Sequence, residues 1–154
     1  MADGLIKERL FDVKLMMVAA ASHPLASYRG IIPKEELARH VQLVLTDRST
    51  LTEGRNIGVM SPSTWRLADL FAKHAFLVSG LGFGGMPLHT VARDIAEGRL
   101  AELSIEEAPP GGLPLPMFAV YREGEPPGPA GRWIIEHLKK CSEGVAAKEG
   151  PRAC

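Results

Sequence analysis

Cysteine is almost missing from this sequence. Cys141 and Cys154 are the only two among 154 residues, and both lie beyond the last apolar pattern. Two thiols outside a core make neither a disulfide framework nor a C-x-x-C redox pair, which points to a reducing compartment. An excess of charge of either sign is missing as well. Eighteen basic and eighteen acidic side chains cancel, and no block of like charges occurs. The chain therefore lacks the electrostatic footprint of a nucleic-acid binder. Long apolar runs are absent too. None approaches the length of a membrane-crossing helix. The opening MADGLIKERL is interrupted by Asp3, Lys7 and Glu8, unlike the core of a signal peptide. A cytoplasmic protein without a membrane partner is expected.

The chemistry of catalysis is equally sparse. The five histidines, His23, His40, His74, His89 and His137, stand apart from one another and from acids or thiols at metal-ligand spacing. Ser61, Ser63 and Ser79 occur outside any G-x-S-x-G elbow, and no Gly-Lys-Ser/Thr follows a glycine loop. Neither an enzyme nor a metal or cofactor is expected.

What is present is an ordinary globular composition, 45% apolar and 23% charged, in a chain long enough for one domain or two small lobes. VKLMMVAAA (13–21) reads as a buried strand stopped by His23-Pro24. Pro33 followed by Lys34, Glu35 and Glu36 opens a short helix, and VQLVL (41–45) is a second strand. Residues 50–63 read as loop. Thr64–Ala68 alternates as a strand. Asp69 is placed to cap a helix carrying Leu70, Phe71, Phe76, Leu77 and Val78. A helix from Pro87 to Gly98, a strand LAELSI, the turn-rich APPGGLPLP and a strand MFAVY follow. A last helix over about 130–140 sets Trp133, Ile134, His137 and Leu138 on one side, ahead of a polar tail. Alternation of strands and helices implies an α/β protein with a largely parallel sheet.

GLGFGGMP (80–87) has Gly80, Gly82 and Gly85 at the spacing of a dinucleotide-binding turn. That turn must follow a strand and open a helix, so that the helix N-terminus meets the pyrophosphate. Here Gly80 follows a helix, and the next helix begins only after Met86-Pro87. The glycines read instead as a helix cap followed by a short strand that another backbone approaches closely.

The order of these pieces carries a resemblance. RLFDVKLMMVAAASHPLA (9–26), TWRLADLFAKHAFLVSGLGFGGMPLHTVARDIAEGRLAEL (64–103), LPMFAVYREG (115–124) and PAGRWIIEHLKK (129–140) resemble, in sequence order, segments of LysR-type transcriptional regulators. The resemblance implies the effector (substrate)-binding domain, of type 2 periplasmic-binding-protein-like fold, with two α/β lobes joined by crossing strands. It assigns 1–17 to the end of the first lobe and the first crossing strand, and 18–117 to the second lobe. It gives 118–140 to the return strand and closing helix of the first lobe, leaving 141–154 as a disordered tail. A helix-turn-helix and most of the first lobe are expected to precede the point at which this sequence starts, so DNA is reached only through a segment outside it.

The same resemblance implies a small-molecule effector, a carboxylate among the candidates, and pairing into a homodimer. Carried onto this chain, its effector contacts are Thr46, Asp47, Arg48 and Ser49, then Arg66, then Phe83 and Gly84, with Ala20 and Ala119 near the crossings. Hydroxyls and backbone N–H groups at strand ends give directional hydrogen bonds, and Arg48 or Arg66 suits bidentate pairing with a carboxylate. The competing readings are plain. Residues 46–49 also read as a solvated turn, Arg66 as a surface partner of Asp69, and Phe83 as core. An interaction module that dimerises without a ligand, or a solute-binding protein of transport with this fold, are the alternative functions.

Overall fold

The computed structural model describes residues 4–46, 58–108 and 110–146, with side chains described up to residue 140. They form two units. One comprises residues up to 13 together with those from 114 onward, and the other runs from 14 to 113. The chain passes between the units at 13/14 and at 113/114; the sequence reading put the first crossing strand within 1–17 and began the return strand at 118.

Strand β1 (Leu5–Ala20) feeds both units and is longer than its apolar run. Residues 5–15 alternate between half-buried and exposed, whereas Met16–Ala20 are buried on both faces. The change marks where β1 becomes an interior strand of the larger unit, between β4 (Phe83–Pro87) and β5 (Leu100–Glu102), antiparallel to both. The rest of that sheet is parallel to β4: β2 (Gln42–Leu45) pairs with β4 on one side and with the edge strand β3 (Thr64–Leu67) on the other.

Alternation across the pleat gives the larger unit two cores. Met16 and Val18 of β1, Leu43 of β2 and Met86 of β4 pack with Leu77 and Val91 from the helices α2 (Leu70–Val78) and α3 (Leu88–Ala96). Met17, Ala19 and Phe83 face the other way, onto Leu25, Ile32, Leu37, Leu103 and Ile105. Leu25 lies in a 3-10 turn (Pro24–Ser27), and Leu37 ends the one-turn helix α1 (Lys34–Leu37).

The local signals in the helices hold. Asp69 Oδ1 accepts the Ala72 N–H at 2.8 Å and caps α2. Gly80 ends it at φ +78°, with Gly80 N–H on Leu77 O and Leu81 N–H on Phe76 O, the pattern of a Schellman terminus.

In the smaller unit β6 (Leu113–Arg122) pairs with β1. It begins inside what the sequence marked as turn, because Pro114 and Pro116 stand two residues apart. Their missing N–H groups therefore fall on the same strand edge. Helix α4 (Pro129–Ala146) continues six residues past Lys140, into the segment expected to be disordered. Adding residues to an existing helix is far easier than nucleating one. The helix buries Ile135, whereas Trp133, Ile134 and Leu138, which the sequence set on one side, are exposed, with Trp133 stacked on His137 at 4.8 Å.

Candidate functional site

Strands β2, β3 and β4 run in the same direction, so their carboxyl ends form one edge of the larger unit's sheet. Register fixes its level: Gln42 stands opposite Thr64 and Phe83, and Leu45 opposite Leu67. Thr46 follows directly, its N–H donating to Leu67 O at 2.7 Å, and its side chain is half-buried. Arg66, opposite Val44, is exposed one residue below the edge. Asp69 and α2 begin just beyond β3, and α3 begins directly after β4. In open α/β sheets this is the edge where ligands bind, because helix N-termini and strand-end backbone groups converge there. The first turn of α3 receives no side-chain cap from Pro87, while Thr90 Oγ1 donates to Pro87 O at 2.7 Å.

The expected contacts do not all gather at this edge. Asp47, Arg48 and Ser49 lie outside the described residues. Thr46 and Arg66 are at the carboxyl edge. Phe83 and Ala20 are at the opposite end: Phe83 is level with Gln42 and pairs across to Ala19, and Ala20 pairs with Leu100. Both are buried, Phe83 completely, and neither presents surface to a ligand. They are core residues, because the antiparallel β1 ends where the parallel strands begin. Gly84 is buried between β2 and α2, where a Cβ would lie 2.6 Å from Leu43 O. Gly82 meets Val41 O in the same way at 2.4 Å. The glycines therefore answer a close backbone approach with no phosphate involved. Ala119 is half-buried in β6 and belongs to the smaller unit.

Several polar groups to which the sequence reading gave no functional role organise the larger unit. Gln42 is buried at the start of β2. Its Oε1 accepts the N–H groups of Met60 (2.6 Å) and Ser61 (3.1 Å), and its Nε2 donates to Gly58 O at 2.7 Å. Ser61 Oγ donates to His40 O, and His40 meets the buried His23 ring edge to face at 4.9 Å. His23 Nδ1 accepts the Leu25 N–H at 3.2 Å, and burial, then the neighbouring His40, push its pKa down. On the helical face, buried Asp94 of α3 lies 2.8 Å from His74 Nε2 of α2 and accepts from Arg99 Nε at 2.7 Å. The hydrogen bond with His74, then that with Arg99, holds this carboxyl below its ordinary range.

Lys73 of α2 is the least expected of these groups. Its Nζ donates to Gly85 O at 2.7 Å, and burial lowers its pKa to about 8. The sequence signal was its place four residues before Leu77, on the face of α2 that packs inward.

In the smaller unit, Glu8 accepts from Arg132 Nη1 at 2.8 and 2.9 Å, from Lys139, and from Tyr121 at 3.3 Å. Hydrogen bonds from Lys139, then Arg132, draw its pKa down to about 2. This cluster ties α4 to β1 and β6. Among the described residues no three His, Cys, Asp or Glu side chains are arranged to hold a metal ion, and no helix is long and apolar enough to cross a membrane.

Comparison with known proteins gives a consistent answer. Residues 1–142 match the model of the LysR substrate binding domain. The fold is shared with the effector-binding domain of QuiR, solved in complex with shikimate. That structure is 18% identical, with a TM-score of 0.68 over 93% of this chain and 68% of that one. It is shared with the regulatory domain of MetR, a LysR family regulator from N. meningitidis (16% identity, TM-score 0.71, 100% of this chain and 71% of that one). It is shared too with the Synechocystis CcmR regulatory domain in complex with 2-PG (19% identity, TM-score 0.70, 93% and 70%). No curated relative matches the sequence.

Proposed function

The chain belongs to the LysR substrate-binding domain family, and from that premise we propose that the carboxyl edge of its parallel strands holds a small anionic effector. The fold is the type 2 periplasmic-binding-protein-like one, and the family's domains are parts of transcriptional regulators rather than enzymes. The observation that carries the reading is the convergence at one edge of Thr46, Arg66 and the first turns of α2 and α3. Backbone N–H groups at helix starts and a guanidinium both favour a carboxylate or phosphate over a neutral group. Two structural neighbours were solved with small molecules, shikimate and 2-PG. Arg48 belongs to the same proposal, as does a cytoplasmic setting in which a separate helix-turn-helix reads the DNA and effector binding shifts the population of its bound arrangements.

Titration calorimetry of the full chain with a panel of small carboxylates, shikimate included, tests the reading. Binding weakened about tenfold or more by Arg66→Ala or Arg48→Ala supports it. Equal affinity in both variants removes these residues from the site.

A second role is favoured by a specific observation. Leu115, Met117, Phe118 and Val120 of β6 and Trp133, Ile134 and Leu138 of α4 are all exposed. Exposed apolar side chains promote association, so self-association through the smaller unit accompanies the effector role. Sedimentation equilibrium checks this, and a monomer at high concentration rules it out.

A further inference from the structure

Helix α2 is inverted in one respect. Phe71 in its first turn is 85% exposed, while Lys73, on the side that carries Leu77 into the core, is 5% exposed. The lysine stem passes over Gly84, where a Cβ would stand 3.2 Å from Cε. Beyond that glycine the ammonium ends on Gly85 O. No carboxylate among the described residues pairs with it. An ammonium buried with only a carbonyl for company is unfavourable, and burial of this kind usually accompanies a counter-charge.

The position of the charge suggests what supplies one. Gly85 is two residues short of the end of β4, about 7 Å from the carboxyl edge at the usual strand rise. Two nine-residue helices start at that edge; the capping Asp69 carboxylate offsets the positive end of α2, whereas α3 lacks a side-chain cap and adds roughly half a positive charge there. The charge of Lys73 therefore adds to a field that already favours anions.

We propose that Lys73 supplies the counter-charge for an acidic group of the effector held at this edge, and so selects acids over neutral ligands of the same shape. The proposal rests on the effector-binding reading above. An anion about 8–9 Å from the ammonium, at the effective dielectric typical of such sites, gains affinity on the order of tenfold.

The selection depends on pH. Helix α2 packs against β2, β3 and β4. Strands β2 and β4 carry no titratable side chain, β3 carries the exposed Arg66, and at α2 itself the Asp69 carboxylate caps the Ala72 N–H while His74 is taken up by Asp94 of α3. Burial alone therefore governs the protonation of Lys73. The group is charged at pH 7 and largely neutral at pH 9.5, given its pKa of about 8.

The test compares the full chain with its Lys73→Met variant by titration calorimetry at pH 7.0 and 9.5. The probes are benzoate, salicylate and succinate, each against its own primary amide. Circular dichroism confirms that the variant is folded. The expected result is a preference for acid over amide in the wild type at pH 7.0 about tenfold larger than at pH 9.5 and than in Lys73→Met at either pH, while the amides bind both proteins alike. A preference undiminished in Lys73→Met overturns the role of Lys73 and leaves the effector reading standing. Wild type that binds none of the six probes overturns both.

Discussion

Removing the charge of Lys73 should make the fold more stable. The folded-state pKa is about 8 against an ordinary value of 10.5. Folded protein then binds fewer protons than unfolded chain between those two values. Ionised Lys73 opposes folding in full below pH 8, and the opposition is relieved as pH rises through 8 towards 10.5. A displacement of this size corresponds to about 3 kcal/mol. Replacing the lysine by methionine, similar in length and apolar, removes that penalty but leaves Gly85 O without its donor, which returns about 1–2 kcal/mol. Lys73→Met is therefore expected to gain about 1–2 kcal/mol at pH 7. The measurement is urea denaturation of both proteins at pH 7, 8, 9 and 10.5, read as the difference between them at each pH. Other lysines and tyrosines titrate in this range too, but they cancel in that difference. It should move by about 3 kcal/mol in favour of wild type between pH 7 and 10.5. A difference that stays constant across the range would refute the claim that Lys73 is ionised at a desolvated site. Natural chains often retain a destabilising charge where binding needs it.

Three further outcomes are expected. Gly84→Ala places a methyl 2.6 Å from Leu43 O and against the Lys73 stem. It should destabilise by about 1–3 kcal/mol in chemical denaturation, and a neutral effect would mean that β2 and β4 separate easily. Gln42→Ala strips the anchors of Gly58, Met60 and Ser61. Hydrogen exchange should show the Met60 and Ser61 amides losing protection while the β1 amides keep theirs. Glu8→Gln should lower Tm at pH 7. Because the Glu8 pKa is depressed to about 2, its contribution is complete above pH 4.5 and lost as pH falls through 2, so wild type and variant should converge there.

The sequence by itself determined the kinds of element and their order. Asp69 and Gly80 bound α2 through hydrogen bonds and a backbone angle that depend on nearby residues only. The four motifs in sequence order also sufficed to place the chain in its family, and the glycine stretch was legible as close packing because it follows a helix. The tertiary structure decided what needed register and direction. Ala20 and Phe83 became core because β1 runs antiparallel to β4, a relation no local pattern encodes. The exposed faces of α4 and β6 likewise depended on what lies next to them. Phe71 was left in solvent and Lys73 drawn inside by the rotation of α2 on its sheet. Burial is a property of neighbours brought from afar, and the charge of a lysine is felt only once those neighbours have displaced its water.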